Sequence, residues 1–112
     1  SSGTQVRDYM HTDDVGRALA LLLESDFHGS MNIGSGEGIG IRDLVLSAAD
    51  LLGGRALLDF GARPVSTDEP PEIIADVSRL REVLQFTPVF TIECGLAQTI
   101  DWFREHTTRG SE

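Results

Sequence analysis

Four segments of this 112-residue chain carry apolar residues at helical spacing, and each of them has one complete apolar face. The segments begin near residues 12, 41, 77 and 92. The longest stripe consists of Ile41, Leu44, Val45, Ala48, Leu51 and Leu52. A helix with an apolar face must bury that face against another element. These four stripes therefore restrict the fold more than any other feature of the sequence.

Three short segments have the pattern of β-strands. They are residues 5–11, 30–34 and 56–60. The first alternates, which would place Arg7, Tyr9 and His11 on one side of the strand. We therefore predict an α/β (α+β) fold with about four amphipathic helices and three short strands, in a single unit spanning residues 1–112.

Residues at the predicted helix ends fit capping roles. Thr12 or Asp13 can cap the first helix, Asp76 the third and Thr91 the fourth. Gly53 with its neighbour ends the second helix, as a left-handed C-cap requires.

Four helices and three short strands are too few for a complete doubly wound sheet. We expect some of the apolar faces to pack on something absent from this chain. A unit of this size buries only about 65% of its unfolded surface, so an uncovered face favours self-association. The chain begins Ser-Ser-Gly rather than with Met, which suggests a piece of a longer protein.

Charge excludes several functions. Nine Arg and no Lys stand against 18 acidic residues, giving a net charge of −9. That balance disfavours binding to nucleic acid. The absence of Lys removes Schiff-base chemistry, a phosphate-loop lysine and a Tyr–Lys proton-transfer pair.

Hydropathy and cysteine usage indicate a cytoplasmic protein. The longest apolar run, 18–23, is far too short to cross a membrane, and we see no signal-peptide pattern. The single Cys94 cannot form an internal disulfide. We expect no membrane partner.

A glycine-rich segment, Gly34-Ser-Gly-Glu-Gly-Ile-Gly40, resembles a dinucleotide-binding loop at first sight. The spacing GxGxxG fails, because its last position falls on Ile39 or Ile41. We therefore favour a tight turn into a helix, with Gly40 as its N-cap, over a pyrophosphate site.

Other candidate catalytic groups have simpler interpretations. Asp13 and Asp14 with His11 could form an acid/base or metal-binding set, but two acids at a helix start are typical of capping. Cys94 is predicted mid-helix, where a buried, inert thiol is the commoner case. We assign no catalytic, cofactor-binding or metal-binding residue.

Two arginines are ambiguous on spacing alone. Arg7 lies on the polar face of the first strand, and Arg63 begins the proline-rich stretch 61–72. Two guanidinium groups could converge on a pyrophosphate. Each could equally pair with one of the acidic residues.

Several ordered motifs resemble those of a known family. They are Val6-Arg-Asp-Tyr-Met-His-Thr-Asp-Asp-Val, Met31-Asn-Ile-Gly-Ser-Gly-Glu-Gly, Arg63-Pro, Ala75-Asp-Val-Ser-Arg-Leu, Phe86-Thr-Pro and Gly95-Leu-Ala-Gln-Thr-Ile-Asp-Trp. The chain thus resembles, over residues 3–106, the C-terminal third of extended short-chain dehydrogenase/reductases, the NAD(P)-dependent epimerases and dehydratases of nucleotide sugars.

The resemblance implies a substrate-binding lobe without its Rossmann half. It implies that Arg7 contacts the diphosphate of a nucleotide sugar and that Arg63 holds it from the opposite loop. Asp68 or Glu69 would meet hydroxyl groups near the ribose or base, and Tyr9 would line the pocket. NAD or NADP would belong to the parent enzyme.

The family's Tyr-x-x-x-Lys pair and glycine-rich cofactor turn have no counterpart here, so we expect the chain alone to be inactive. The alternative is a non-catalytic module that self-associates through its unpaired helix faces. A small enzyme using His11, Asp13 or Asp14 is the least favoured hypothesis.

Overall fold

The computed structural model describes residues 1–64 and 68–107, which contain four α-helices and three β-strands. The helices are α1 (Thr12–Glu24), α2 (Ile41–Leu52), α3 (Ser78–Leu84) and α4 (Ile92–Thr107). The strands are β1 (Val6–Asp8), β2 (Gly38–Gly40) and β3 (Glu72–Ile73), and a 3-10 turn covers Arg55–Leu57. The predicted fold class is confirmed.

The three strands form one sheet with β1 at its centre, in the order β2-β1-β3. β1 pairs antiparallel with β2, so that Val6 lies opposite Gly40 and Asp8 opposite Gly38. β1 pairs parallel with β3, where Arg7 lies opposite Ile73. The first strand is therefore held from both sides, although only three of its predicted residues belong to it.

Two of the three predicted strands are wrong. Residues 56 and 57 lie in the 3-10 turn and residues 58–60 follow it, and Leu57 is 87% exposed. Residues 30–34 belong to no strand, although Met31 and Ile33 pack against the core. A short apolar run becomes a strand only where another strand pairs with it. The pairing partners of β1 come instead from the glycine-rich and proline-rich segments.

The N-cap of α1 is His11, not Thr12 or Asp13 as predicted. Its Nδ1 atom accepts a hydrogen bond from the backbone N–H of Asp13 at 3.2 Å. The imidazole ring also stacks on Phe90, with ring centroids 4.1 Å apart. His11 can cap because a ring nitrogen accepts as a side-chain oxygen does.

The other predicted caps hold in most respects. Thr91 Oγ1 accepts from the N–H of Cys94 at 3.2 Å at the start of α4, and Gly53 ends α2 at φ +67°. The carboxylate of Asp76 accepts from the N–H of Ser78, the first residue of α3, although Val77 is the residue directly before the helix.

The first residues of the chain cap α2. Gly40 precedes the helix, as predicted, but has no side chain to accept a hydrogen bond. The N–H of Ile41 donates to the carbonyl of Gln5 at 2.9 Å, and that of Arg42 donates to Gly3 at 2.8 Å. These carbonyls satisfy two N–H groups that a helix start otherwise leaves unpaired.

A small apolar core lies where α1 meets α3. Its buried members are Ala18, Val77, Leu80 and Phe86. So few side chains cannot alone hold four helices and a sheet together, since a fully buried Leu or Phe contributes only about 1.5–3 kcal/mol. Polar contacts must therefore connect the remaining elements.

One set of these contacts involves Asp14, whose side chain is almost fully buried in the first turn of α1. Its carboxylate accepts from the guanidinium of Arg17 at 2.8 Å and from the N–H groups of Val89 and Phe90 at 3.0 Å. Arg17 in turn donates to the carbonyl of Thr87 at 2.7 Å. This one carboxylate therefore ties α1 to the segment that precedes α4.

The chain is flat and exposes more surface than a compact domain. Its extents are 49 × 44 × 21 Å and its radius of gyration is 16.9 Å, against about 13 Å for a compact chain of this length. Its accessible surface is 8064 Å², against about 6,100 Å² for a compact monomer of this mass. This surplus supports the expectation that some apolar faces lack their packing partners.

We expect Asp14→Ala to lower the free energy of unfolding by about 3 kcal/mol, because it leaves two N–H groups and a guanidinium without their acceptor. The matched control is Asp13→Ala, at a side chain that is 64% exposed, for which we expect a change within about 0.5 kcal/mol. Urea unfolding followed by circular dichroism measures both. Equal effects of the two substitutions would contradict the role assigned to Asp14.

Candidate functional site

The candidate site lies along β1, where the central position of the strand fixes the backbone of Arg7. Arg7 pairs with Ile39 of β2 on one side and with Ile73 of β3 on the other. Its guanidinium Nη1 also donates to the carbonyl of Val6 at 2.7 Å. The side chain is 17% exposed, so a cation is held at a defined place on the surface of the sheet.

Glu69 lies directly on this cation. Its Oε1 atom is 2.7 Å from Arg7 Nη2, and its Oε2 atom accepts from Gln5 Nε2 at 3.1 Å. Each carboxylate oxygen of Glu69 therefore accepts a hydrogen bond, one from Arg7 in β1 and one from Gln5, the residue before β1. We call Gln5, Arg7 and Glu69 the Arg7–Glu69 clamp.

The clamp distinguishes the two interpretations of Arg7, an ion pair with an acidic residue and a contact with a pyrophosphate. Pairing with an acidic residue is what the structure shows, and that acid is itself one of the predicted site residues. The hydrogen bonds to Val6 and Glu69 use only part of the donor capacity of a guanidinium. Binding of an anionic ligand by Arg7 stays a prediction.

Gln5 was missed by the sequence analysis. It is 5% exposed, and its Oε1 atom is buried without a hydrogen-bond donor among the described residues. A glutamine two residues before a strand arginine has no distinguishing pattern. Only the fold shows that its amide orients Glu69.

Arg7 and Tyr9 line different cavities. Arg7 borders a groove of about 630 Å³ between the sheet and residues 31–34. Tyr9 borders a cavity of about 490 Å³ beside Arg81 and residues 87–93. The common face predicted for Arg7 and Tyr9 is wrong, because β1 ends at Asp8 and the alternation does not continue past it. A binding role for Tyr9 stays a prediction.

The loop residues are only partly brought to the site. Arg63 and Asp68 are exposed on either side of residues 65–67, which lie outside the described part of the chain. Of the three acidic and basic candidates in this loop, the structure places Glu69 on Arg7. The roles of Arg63 and Asp68 remain predictions.

Asp8 holds the glycine-rich turn against β1. The sequence analysis did not identify this residue. Its carboxylate accepts from Ser35 Oγ at 2.5 Å and from the N–H groups of Ser35 and Gly36 at 2.9 Å and of Ala75 at 3.2 Å. Burial alone would raise the pKa of Asp8, but these hydrogen bonds together hold that pKa below its usual value. Asp8 therefore fixes the glycine-rich turn against β1 as a carboxylate.

The same hydrogen bonds explain why the glycine-rich turn does not fit a cofactor pyrophosphate. The N–H groups of Ser35 and Gly36, which an anion would need, already donate to Asp8. A Cβ atom at Gly34 would lie 2.7 Å from the side chain of Ala75. The glycines serve close packing and a φ of +75° at Gly36. This favours the predicted tight turn.

His11 and Asp14, two members of the alternative acid/base set, make structural hydrogen bonds. His11 caps α1 and Asp14 holds the segment before α4. Burial would raise the pKa of Asp14, but the hydrogen bonds from Arg17, Phe90 and Val89 lower it. Cys94 lies in the first turn of α4 and is exposed, so the expectation of a buried thiol in mid-helix is wrong.

Two further searches of the described residues gave negative results. No group of three or more His, Cys, Asp or Glu side chains among them could hold a metal ion. None of the helices in that part of the chain is both long and apolar enough to span a bilayer.

The chain is similar in sequence and in structure to several known proteins. The chain is 36% identical over 107 residues to a dTDP-4-dehydro-6-deoxy-D-allose reductase from Streptomyces bikiniensis, covering 94% of this chain and 31% of the relative. No protein-family model matches it.

Two solved structures show the same fold. The UDP-glucose 4-epimerase of Thermotoga maritima with UDP-glucose has a TM-score of 0.83 at 29% identity, covering 96% of this chain and 34% of that one. MoeE5 in complex with UDP-glucuronic acid and NAD has a TM-score of 0.78 at 35% identity, covering 93% and 35%. The chain thus spans about a third of the length of its relatives.

We expect the free energy of unfolding to fall in acid. The folded-state pKa values of Asp8 and Asp14 are both depressed below 3.8, so the unfolded chain takes up protons first. Their contribution is complete above the unfolded pKa and is lost as the pH falls through the folded-state values. Urea unfolding at successive pH values from about 5 downward measures this slope.

The substitution Asp8→Asn is expected to reduce the slope, because it removes one of the carboxyl groups whose pKa is lowered in the folded chain. Ser35→Ala, which removes one donor to Asp8, should give an intermediate slope. A slope unchanged in Asp8→Asn would show that this carboxylate does not stabilise the fold.

Proposed function

Because the chain matches the C-terminal part of extended short-chain dehydrogenase/reductases, we propose that residues 1–112 are the nucleotide-sugar-binding portion of an NAD(P)-dependent epimerase, dehydratase or reductase. The portion contributes substrate binding and is inactive alone. The relatives' names include a reductase of a dTDP-sugar and an epimerase of UDP-glucose. They support the class of the ligand, a nucleotide diphosphate sugar.

The Arg7–Glu69 clamp is the observation that carries this proposal. Arg7 on the central strand borders a groove of about 630 Å³, and the side chain of its acidic partner Glu69 is 39% exposed. Guanidinium groups bind phosphate oxygens through paired, charge-assisted hydrogen bonds. The chain is otherwise strongly acidic, so a fixed cation beside a groove is the natural place for a diphosphate.

The remaining site residues have supporting roles in this proposal. Arg63 would reach the diphosphate from the loop, and Asp68 or Glu69 would accept hydrogen bonds from ribose or base-side hydroxyls. In the structure Glu69 accepts from Gln5 and Arg7, which orients its carboxylate beside the diphosphate position. Tyr9, which borders a separate cavity of about 490 Å³, would line the pocket of the complete enzyme.

The redox step is assigned to the part of the relatives that this chain does not cover. NAD or NADP would supply hydride transfer when bound there. Within the described residues the glycine-rich turn does not fit a pyrophosphate, since Asp8 occupies its N–H groups. The chain also has no Lys for a Tyr–Lys pair.

We expect Arg7→Ala to weaken the binding of UDP-glucose or dTDP-glucose to the chain at least tenfold. Losing charge-assisted hydrogen bonds to a phosphate costs about 1.5–3 kcal/mol. Isothermal titration calorimetry measures the dissociation constants. The control is Arg55→Ala, which removes an exposed arginine paired with Asp50 at the end of α2 and should leave the affinity unchanged.

Two further variants define this experiment. Glu69→Gln removes a competing negative charge from Arg7 and should not weaken binding by the same amount, whereas Arg63→Ala tests the second arginine separately. Equal affinities in Arg7→Ala and Arg55→Ala would contradict the clamp as the diphosphate site.

A second candidate function rests on a different surface. The helices α2 and α4 pack together, and Arg104 donates to the carbonyl of Leu51 at 3.2 Å. Leu52, Trp102 and Phe103 beside this contact are each more than half exposed. This α2–α4 patch favours the alternative of a non-catalytic, self-associating module, because exposed aromatic side chains are enriched in interfaces.

On that alternative the chain forms a defined dimer whose dissociation constant rises at least tenfold in Phe103→Asp. Light scattering coupled to size-exclusion chromatography measures the mass. Leu57→Asp is the control, since Leu57 is 87% exposed in the 3-10 turn rather than in the patch. A monomer at all concentrations would reject the self-associating module.

A further inference from the structure

A small cavity of about 210 Å³ lies beside the residues that follow β1, between the start of α2 and the first turns of α4. The apolar part of its wall consists of Met10, Leu44, Phe90, Ile92, Gly95 and Leu96. No Asp, Glu, Lys or Arg is among the described residues that line it. Burying an unpaired charge away from water is costly, so this cavity favours a neutral ligand.

The imidazole of His11 borders the cavity with one nitrogen unused. The side chain is only 9% exposed. Its Nδ1 atom accepts the N–H of Asp13 at 3.2 Å, so the neutral ring carries its proton on Nε2. Within residues 1–64 and 68–107, Nε2 has no hydrogen-bond acceptor. Polar groups of buried side chains are almost always paired, which points to an acceptor that a ligand supplies.

Two contacts fix the orientation of this ring. One face stacks on Phe90, with ring centroids 4.1 Å apart. A Cβ atom at Gly95 would lie 3.2 Å from Cδ2 of His11, the ring carbon bonded to Nε2. The edge that carries Nε2 therefore points towards α4, where Gly95, Leu96 and Thr99 form one wall of the cavity. Because position 95 is glycine, no side chain from that position covers this edge.

We propose that this cavity binds a small neutral ring compound that carries a carbonyl oxygen, such as an aromatic ketone. The carbonyl oxygen accepts the Nε2–H of His11, and the ring packs against Leu44, Ile92 and Leu96. An apolar cavity of about 150 Å³ is large enough for benzene. A volume of about 210 Å³ therefore accommodates one six-membered ring with a short substituent, which a single directed polar group can orient.

This cavity is separate from the site proposed for the diphosphate. None of the three residues of the Arg7–Glu69 clamp lines it. On another side, Tyr9 and residues 90–92 border both this cavity and the cavity of about 490 Å³. The larger cavity also carries the hydroxyl groups of Ser35 and Thr87, so it gives a polar ligand end a path to solvent. The inference therefore does not depend on nucleotide-sugar binding.

The test titrates the 112-residue chain with acetophenone and, separately, with ethylbenzene, in which a methylene group replaces the carbonyl. Two-dimensional ¹H–¹⁵N NMR follows the backbone amides and the His11 ring nitrogens. We expect acetophenone to bind with a dissociation constant of about 1 mM or tighter, as so small a ligand allows, and to shift the amides that surround the cavity. Acetophenone, but not ethylbenzene, should shift the Nε2–H signal of His11.

The substitution His11→Phe tests the hydrogen bond. It keeps an aromatic ring for the stack on Phe90 but removes both ring nitrogens, including the one that caps α1. We expect the ratio of the acetophenone and ethylbenzene affinities to fall at least fivefold. Because both affinities are measured on the same variant, a general weakening of the fold cancels from this ratio.

A matched pair of substitutions on α2 tests the cavity itself. Leu44→Phe places additional atoms in the cavity and should weaken acetophenone binding at least tenfold. Leu51→Phe makes the same change on the same helix, at a residue that is 44% exposed and does not line the cavity. It should leave the affinity unchanged, and circular dichroism should show both variants folded.

Four results would overturn the inference. They are no amide shifts around the cavity up to the solubility limit of acetophenone, equal affinities in Leu44→Phe and Leu51→Phe, an affinity ratio that is unchanged in His11→Phe, and shifts of the same amides by UDP-glucose. The last result would assign the cavity to the nucleotide-sugar site. Failure of UDP-glucose to bind at all would reject the proposed diphosphate site and leave this cavity unaffected.

Discussion

Two carboxylates that accept backbone hydrogen bonds from distant parts of the chain hold this structure together. Asp14 receives the N–H groups of Val89 and Phe90, and Asp8 receives those of Gly36 and Ala75. The buried apolar core lies where α1 meets α3 and includes no residue of the three strands or of α4. A carboxylate that accepts several hydrogen bonds stabilises a fold more than a neutral hydrogen-bonded pair does. Asp8 and Asp14 therefore connect elements that apolar packing would connect in a more compact domain.

This dependence explains which elements could be predicted. The four helices are encoded locally, by apolar spacing and by capping residues such as Thr91 and Gly53, so the residues at which they begin are predicted closely. Strands depend on partners that are remote in sequence. Residues 30–34 have a strand pattern without a neighbouring strand, whereas Gly38–Gly40 has a poor strand pattern and pairs with β1.

The residues of the candidate site also divide into those that the sequence indicates and those that depend on tertiary contacts. Arg7 was recognisable from its place in a strand motif, but its contact with Glu69 spans 62 positions and depends on the path of a proline-rich loop. Gln5 and Asp8 had no pattern that distinguishes them from ordinary polar residues. Their roles follow from the close approach of β1 to the glycine-rich turn, which only tertiary structure determines.

The small stabilisation from the Arg7–Glu69 ion pair determines how a ligand could reach Arg7 in the proposed site. An ion pair near the surface, such as Arg7 with Glu69, contributes about 0–1 kcal/mol, less than a diphosphate gains from charge-assisted hydrogen bonds to a guanidinium. In the proposed function a diphosphate would therefore displace Glu69 at small cost. Glu69 would remain held by Gln5, the residue before β1, and so stay near the ligand as an acceptor for hydroxyl groups. In this proposal the ion pair keeps Arg7 oriented until the more strongly charged diphosphate replaces the carboxylate.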